Sequence, residues 1–287
     1  TGTLTVTAPQ LTGLTVRPVS VPGGTSSNGT VTLSSAAPVG GVTVALSSSS
    51  SKAGVPATVT IVEGATSAQF TVTTVGVAAP VSVVITGTLN GISATDTLTV
   101  TAPTVVSVTL DPTTVPGGRT STGTVNIGYA APAGGVVVSL ASSNAAASVP
   151  VSVTVAEGAT KATFTITTTA VSANTSATIT ATSNGTSANA DLSVTAPRVS
   201  VITISPAGVA GGSTATGIVS LDTNAATGGL VVTLLSSDAS ATVPATVTVA
   251  AGSQLALFTV TTKAVSTDTG VVITASTPTS SVTGAFA

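Results

Sequence analysis

In 287 residues the sequence has no cysteine, histidine, methionine or tryptophan, and only one tyrosine and four phenylalanines. Without cysteine, no disulfide staples the fold and no thiol serves as nucleophile or metal ligand. Without histidine, Ser–His–Asp and Cys–His systems cannot be assembled, and zinc loses its usual donors. Charge is equally scarce: 5% of residues are Asp, Glu, Lys or Arg, against about 25% in ordinary soluble domains. The basic residues Arg17, Lys52, Arg119, Lys161, Arg198 and Lys263 stand singly. They form no patch able to neutralise a run of phosphates, so no nucleic-acid partner is expected. Asp111, Asp191, Asp222, Asp238 and Asp268 are isolated and make no Asp-x-Asp run of the kind that holds calcium. Ser, Thr and Gly interrupt every apolar stretch before it reaches 18 residues, so no transmembrane helix is expected. No catalytic residue, metal or cofactor is predicted, and the chain is read as a non-enzyme.

What remains is aliphatic and hydroxylated. Apolar residues make up 42% of the chain and aromatics 2%, so any core is built of Val, Leu, Ile and Ala. Ser and Thr take the place of charge on the surface, and Thr also favours strands. A surface with so little charge resists self-association poorly.

The order in the chain is a repeat. The phrase VTAP ends at Pro9, Pro103 and Pro197, a constant period of 94 residues. That is too long for a solenoid repeat and suits an array of small domains. The division is residues 1–9, the last strand of a preceding repeat or a donor strand; 10–103, repeat 1; 104–197, repeat 2; and 198–287, repeat 3, with a shortened final strand. Glu63 and Glu157 are one position in two repeats and so do not pair for acid–base chemistry.

Within each unit the period is two. Val31 and Leu33, then Val42, Val44 and Leu46, Val59 and Ile61, Ala68, Phe70 and Val72, Val83 and Ile85, and Leu98 and Val100 alternate with Thr and Ser. Repeat 2 keeps the pattern with Val125, Ile127, Val138, Phe164, Ile166, Ile179, Leu192 and Val194. Repeat 3 keeps Val219, Leu221, Val232, Phe258 and Val260 but ends in SVTGAFA, without VTAP. Asn90-Gly91 and Asn184-Gly185 are hairpin turns, and Glu63-Gly64 is another turn. Pro18 and Val21-Pro22-Gly23-Gly24 break the first strand. Asp96 falls on an inward position of the last strand and is read as a rim residue. The recurring Phe70, Phe164 and Phe258 are expected at the centre of each core. Alternating strands with a turn about every ten residues, and no helical period, predict an all-β fold. The expectation is three antiparallel sandwiches of about seven strands each, plus an orphan N-terminal strand.

Gly118–Thr124 has the spacing of a phosphate loop, but it lacks the lysine and precedes a strand, so it is a turn of the repeat. Asn28, Asn174 and Asn184 begin Asn-x-Ser/Thr sequons and are candidate glycosylation sites. Leu4 and Val6, in Thr1–Pro9, are candidate inter-subunit strand residues. A lone strand cannot hold itself together and needs a partner sheet. The alternative is that Thr1 and Ala287 are cut points in a longer array.

TVPGGRTSTGTV, VVVSLASSN, VPVSVTVAEGATKATFTITTTAV and ATITATSNGT in repeat 2 resemble the prokaryotic immunoglobulin-like tandem repeats of large surface proteins. The resemblance spans all three units. It implies an extracellular, non-catalytic structural role in a filament, sheath or surface layer, with copies of the same chain as partners and glycans on Ser, Thr or Asn. The other reading is the stalk or binding module of a cell-surface adhesin or a secreted carbohydrate-active protein.

Overall fold

The computed structural model describes residue 2 and residues 7–286, with no helix among them. In repeat 1 the strands are β1 (Leu11–Arg17), β2 (Ser20–Pro22), β3 (Ser27–Leu33), β4 (Val42–Ser48), β5 (Ala53–Gly54), β6 (Thr58–Ile61), β7 (Ser67–Thr74), β8 (Val81–Leu89) and β9 (Ile92–Thr101). They form a four-stranded sheet, β1-β3-β7-β5, and a five-stranded sheet, β2-β9-β8-β4-β6. Repeat 2 copies this with β10 (Val105–Asp111), β11 (Thr114–Pro116), β12 (Thr120–Ile127), β13 (Val136–Ser142), β14 (Ala147–Ser148), β15 (Ser152–Val155), β16 (Lys161–Thr168), β17 (Thr175–Ser183) and β18 (Thr186–Thr195). Repeat 3 has β19 (Val199–Ser205), β20 (Thr214–Leu221), β21 (Leu230–Ser236), β22 (Ala241–Thr242), β23 (Thr246–Val249), β24 (Leu255–Thr262), β25 (Val271–Thr277) and β26 (Ser280–Phe286). This is a tandem of immunoglobulin-like sandwiches, and every strand pairing lies inside one repeat.

Repeats 1 and 2 have two strands more than the expected seven, and repeat 3 has one more. The segment read as a break at Pro22 is β2, paired in parallel with the end of β9, Val21 opposite Val100. Pro22 ends this short strand at the sheet edge, where its missing N–H costs nothing. The other addition is the two-residue β5, which pairs with the end of β7. Neither is long enough to display an alternation.

The alternating aliphatics form three separate buried clusters, one per repeat. Each phenylalanine lies across a glycine of the neighbouring strand: Phe70 opposite Gly29, Phe164 opposite Gly123 and Phe258 opposite Gly217. A Cβ on Gly123 would stand 2.2 Å from the Phe164 ring, so only glycine admits the ring there. Asn90 and Gly91 both have positive φ, 50° and 83°, as a two-residue hairpin turn requires.

Asp96 is not at the rim but inside β9, opposite Ile85. Its carboxylate accepts a hydrogen bond from the Val16 N–H at 2.8 Å and an ion pair from Arg17 at 3.1 Å. It thus ties β1 of one sheet to β9 of the other. Burial pulls this carboxyl up, but the N–H groups of Val16 and Thr97 and the Arg17 guanidinium outweigh it and hold the group below its ordinary value. The equivalent positions are Ala190 and Gly284, so repeat 1 alone has this tie.

Candidate functional site

The repeats differ most where their last strands end. In repeat 1, Val100 lies between two neighbours: Val21 in parallel and Val81 in antiparallel register. The Thr99 N–H donates to the Val19 carbonyl at 2.8 Å, and the Gly23 N–H donates to the Thr101 carbonyl at 3.1 Å. Repeat 2 repeats the arrangement with Val194 between Val115 and Thr175. There the Ser193 N–H donates to the Thr113 carbonyl at 2.9 Å and the Gly117 N–H to the Thr195 carbonyl at 3.0 Å. Asn174 adds its side-chain oxygen, which accepts the Ala196 N–H at 2.9 Å.

Repeat 3 has no such strand end among the described residues. Val209, the counterpart of Val21 and Val115, lies outside any strand and is half-buried, whereas those two are 4% and 2% exposed. Between Val209-Ala210-Gly211 on one side and Thr267, Asp268 and Val271 on the other is a cleft of about 520 Å³. Thr3–Pro9 reads TLTVTAP, identical to Thr97–Pro103. Leu4 and Val6 lie outside the described residues, but Thr7 and Ala8 are described and exposed. The counterpart of Ala8, Ala102, is 3% exposed, and that of Thr7, Thr101, is half-buried.

The joints between repeats form a second site. Tyr129 of repeat 2 donates its hydroxyl to the Thr101 carbonyl of repeat 1 at 2.7 Å. Asn184, at positive φ in its turn, donates its side-chain N–H to the Pro103 carbonyl at 2.8 Å. At the next joint the counterpart of Tyr129 is Thr223, and a cleft of about 510 Å³ opens between Gly118, Arg119 and Ala170 on one side and Thr223, Ala226 and Gln254 on the other. Thr223 is 3% exposed and its Oγ1 has no hydrogen-bond partner. The sole tyrosine was visible in the sequence as an isolated residue. Its place at a joint was not, because nothing local marks it.

The candidate glycosylation residues do not converge. Asn28 is exposed on β3 and Asn174 is exposed in the loop before β17. Asn184 is half-buried, with its amide nitrogen already donating to Pro103. Among the described residues no three acids gather at one place, and the ion pair found there is Arg17–Asp96. Lys52 and Lys161 are exposed.

No family model and no curated protein matches the chain. Solved structures do. The chain is similar to invasin, described as a bacterial integrin-binding protein, at 14% identity over 96% of this chain and 59% of that one, with a TM-score of 0.43. It is similar to the adhesin InvE of Yersinia pseudotuberculosis at 18% identity over 64% of this chain and 60% of that one, TM-score 0.38. It is similar to an I-band fragment of titin at 14% identity over 98% of both chains, TM-score 0.36. At these identities the likeness is one of fold alone, and the assignment above rests on strand order and register.

Proposed function

We propose that the chain is a non-catalytic structural subunit of an extracellular assembly, a stiff spacer whose copies join end to end into a filament, sheath or surface layer. The observation that carries this reading is the construction of the joints. Ala102 and Val105, and again Ala196 and Val199, are buried on the two sides of each joint, with only two residues between them. A joint this short, with a buried proline in it, leaves no slack for a flexible tether. The surface favours association. It is nearly uncharged, and repeat 3 exposes Leu255 and Leu257 on the outer face of β24, where repeat 2 has Lys161 and Thr163. Exposed leucines side by side mark contact surfaces more often than free ones.

Electron microscopy of the purified protein tests the reading. Elongated particles that lengthen with concentration support it, and compact, concentration-independent particles refute it. The stalk or binding module of an adhesin or carbohydrate-active protein is favoured instead by the open cleft at the second joint, which offers Arg119, Asn224 and Gln254 to a polar ligand. A glycan pull-down decides between the two: monomers that capture glycans through that cleft support the module.

A further inference from the structure

We propose that the cleft at the second joint binds an acidic sugar, a uronate whose carboxylate sits on Arg119. The inference rests on the polar-ligand reading of that cleft, names its ligand class, and does not depend on copies joining end to end. The molecule builds the same joint twice, with opposite chemistry. At the first joint the space is closed. Tyr129 crosses it to the Thr101 carbonyl, and a Cβ on Gly76 would stand 2.9 Å from the Pro132 Cβ. At the second joint the counterparts of Tyr129, Gly76 and Pro132 are Thr223, Ala170 and Ala226, and all three line a cleft of about 510 Å³. That volume is ordinary for a small-molecule site.

The walls change in the same direction. Arg119 stands where repeat 1 has Thr25. Asn224, Gln254 and Ala251 stand where repeat 2 has Ala130, Thr160 and Glu157. A cation and two amides are gained, and a carboxylate is lost. No acid lines the cleft, and among the described residues no carboxylate pairs with Arg119. In a chain of net charge −2 this local reversal favours an anion. Thr223 supplies an independent sign of a ligand. It is 3% exposed, it lines the cleft, and its Oγ1 has no hydrogen-bond partner. A ligand hydroxyl that reaches it removes the cost of leaving it alone.

Together these groups match a sugar acid. A guanidinium takes a carboxylate through two parallel bonds. Side-chain amides both donate and accept, as ring hydroxyls require. An acidic peptide finds less. Every lining residue is in a loop, so no strand edge is offered for it to extend, and alanine is the only apolar side chain present.

The test titrates the methyl glycosides of glucuronate and galacturonate, each beside its neutral parent sugar, into the isotope-labelled full chain. Amide shifts are followed by NMR. A uronate should move the amides of Thr223, Asn224, Gly252 and Gln254, with the neutral parent at least tenfold weaker. Added salt should weaken the uronate alone. Arg119→Thr restores the repeat 1 residue at an exposed position and should bring the uronate down to the neutral level. Thr223→Val should weaken both sugars several-fold at nearly constant shape. Neutral sugars that bind as tightly, or uronate binding unchanged in Arg119→Thr, overturn the acidic class and leave the cleft reading standing. A triglutamate peptide that binds there as tightly as the uronate overturns it in favour of a peptide. If no probe moves these amides, the ligand class and the cleft reading both fall.

Discussion

Replacing Gly123 with alanine tests how tightly these aromatic-poor cores are fitted. Gly123 is not among the residues with positive φ, so the backbone accepts alanine without strain. Removing a glycine from the unfolded ensemble should stabilise the fold by about 0.4–1 kcal/mol. Against this, the new Cβ would stand 2.2, 2.5 and 2.6 Å from three carbons of the Phe164 ring, where carbon contacts normally lie at about 3.5–4.0 Å. The ring, 6% exposed and enclosed by its cluster, must move by over an ångström. Overpacking of this kind costs about 1–3 kcal/mol. The clash wins, and repeat 2 loses about 1–2 kcal/mol. Tyr129 is the only tyrosine and there is no tryptophan, so intrinsic fluorescence reports repeat 2. With a urea slope near the low end of the range for small domains, its midpoint should fall by roughly 1–2 M. Gly13→Ala, whose Cβ would meet nothing within 4 Å, is the control and should be close to neutral in repeat 1. In the Gly123→Ala background, Phe164→Leu should cost less than it does in the native chain, by about 1 kcal/mol of coupling. A midpoint that stays or rises in Gly123→Ala would refute the reasoning.

Three further outcomes follow from the same structure. Thr223→Val removes a buried hydroxyl with no partner at nearly constant shape, so calorimetry should find repeat 3 stabilised by about 1 kcal/mol; a loss would mean the hydroxyl is satisfied. Tyr129→Phe deletes the bond to the Thr101 carbonyl and should cost about 0.5–1.5 kcal/mol, read as a lower midpoint by far-ultraviolet circular dichroism; no change would show that the joint holds without it. Asp96 has a depressed pKa, so its contribution is present above the ordinary carboxylate range, near pH 4, and is lost as pH falls through the lowered folded value. Repeat 1 should therefore lose stability in acid relative to Asp96→Ala, the two converging at the lowest pH. Parallel pH curves would refute that assignment.

Much of the fold was legible because a half-buried strand writes itself as an alternation. Val31, Val44, Phe70, Ile85 and Leu98 fall on inward parity in the sequence and are buried in the structure. The Asn-Gly turns were legible because few other pairs accept two successive positive φ values. What escaped had no local period. β2 is three residues ending in a proline, and its only sheet partner lies about eighty residues away. Asp96 sits at an inward position because its partner, the Val16 N–H, belongs to the opposite sheet. Tyr129 acts across a joint, where its acceptor is a backbone carbonyl that carries no sequence signature. The shape of the space beside Val209 emerged only from the packing of three separate segments.

The parallel pairs β2–β9 and β11–β18 have a mechanical consequence. Each joins the entrance of a sandwich to its exit. Tension on the two ends of the chain slides such partners along one another, so their bonds resist together rather than opening one at a time. The first two sandwiches carry this clasp and the third does not among its described residues. A pull along the first two sandwiches should thus meet a high force before either gives way.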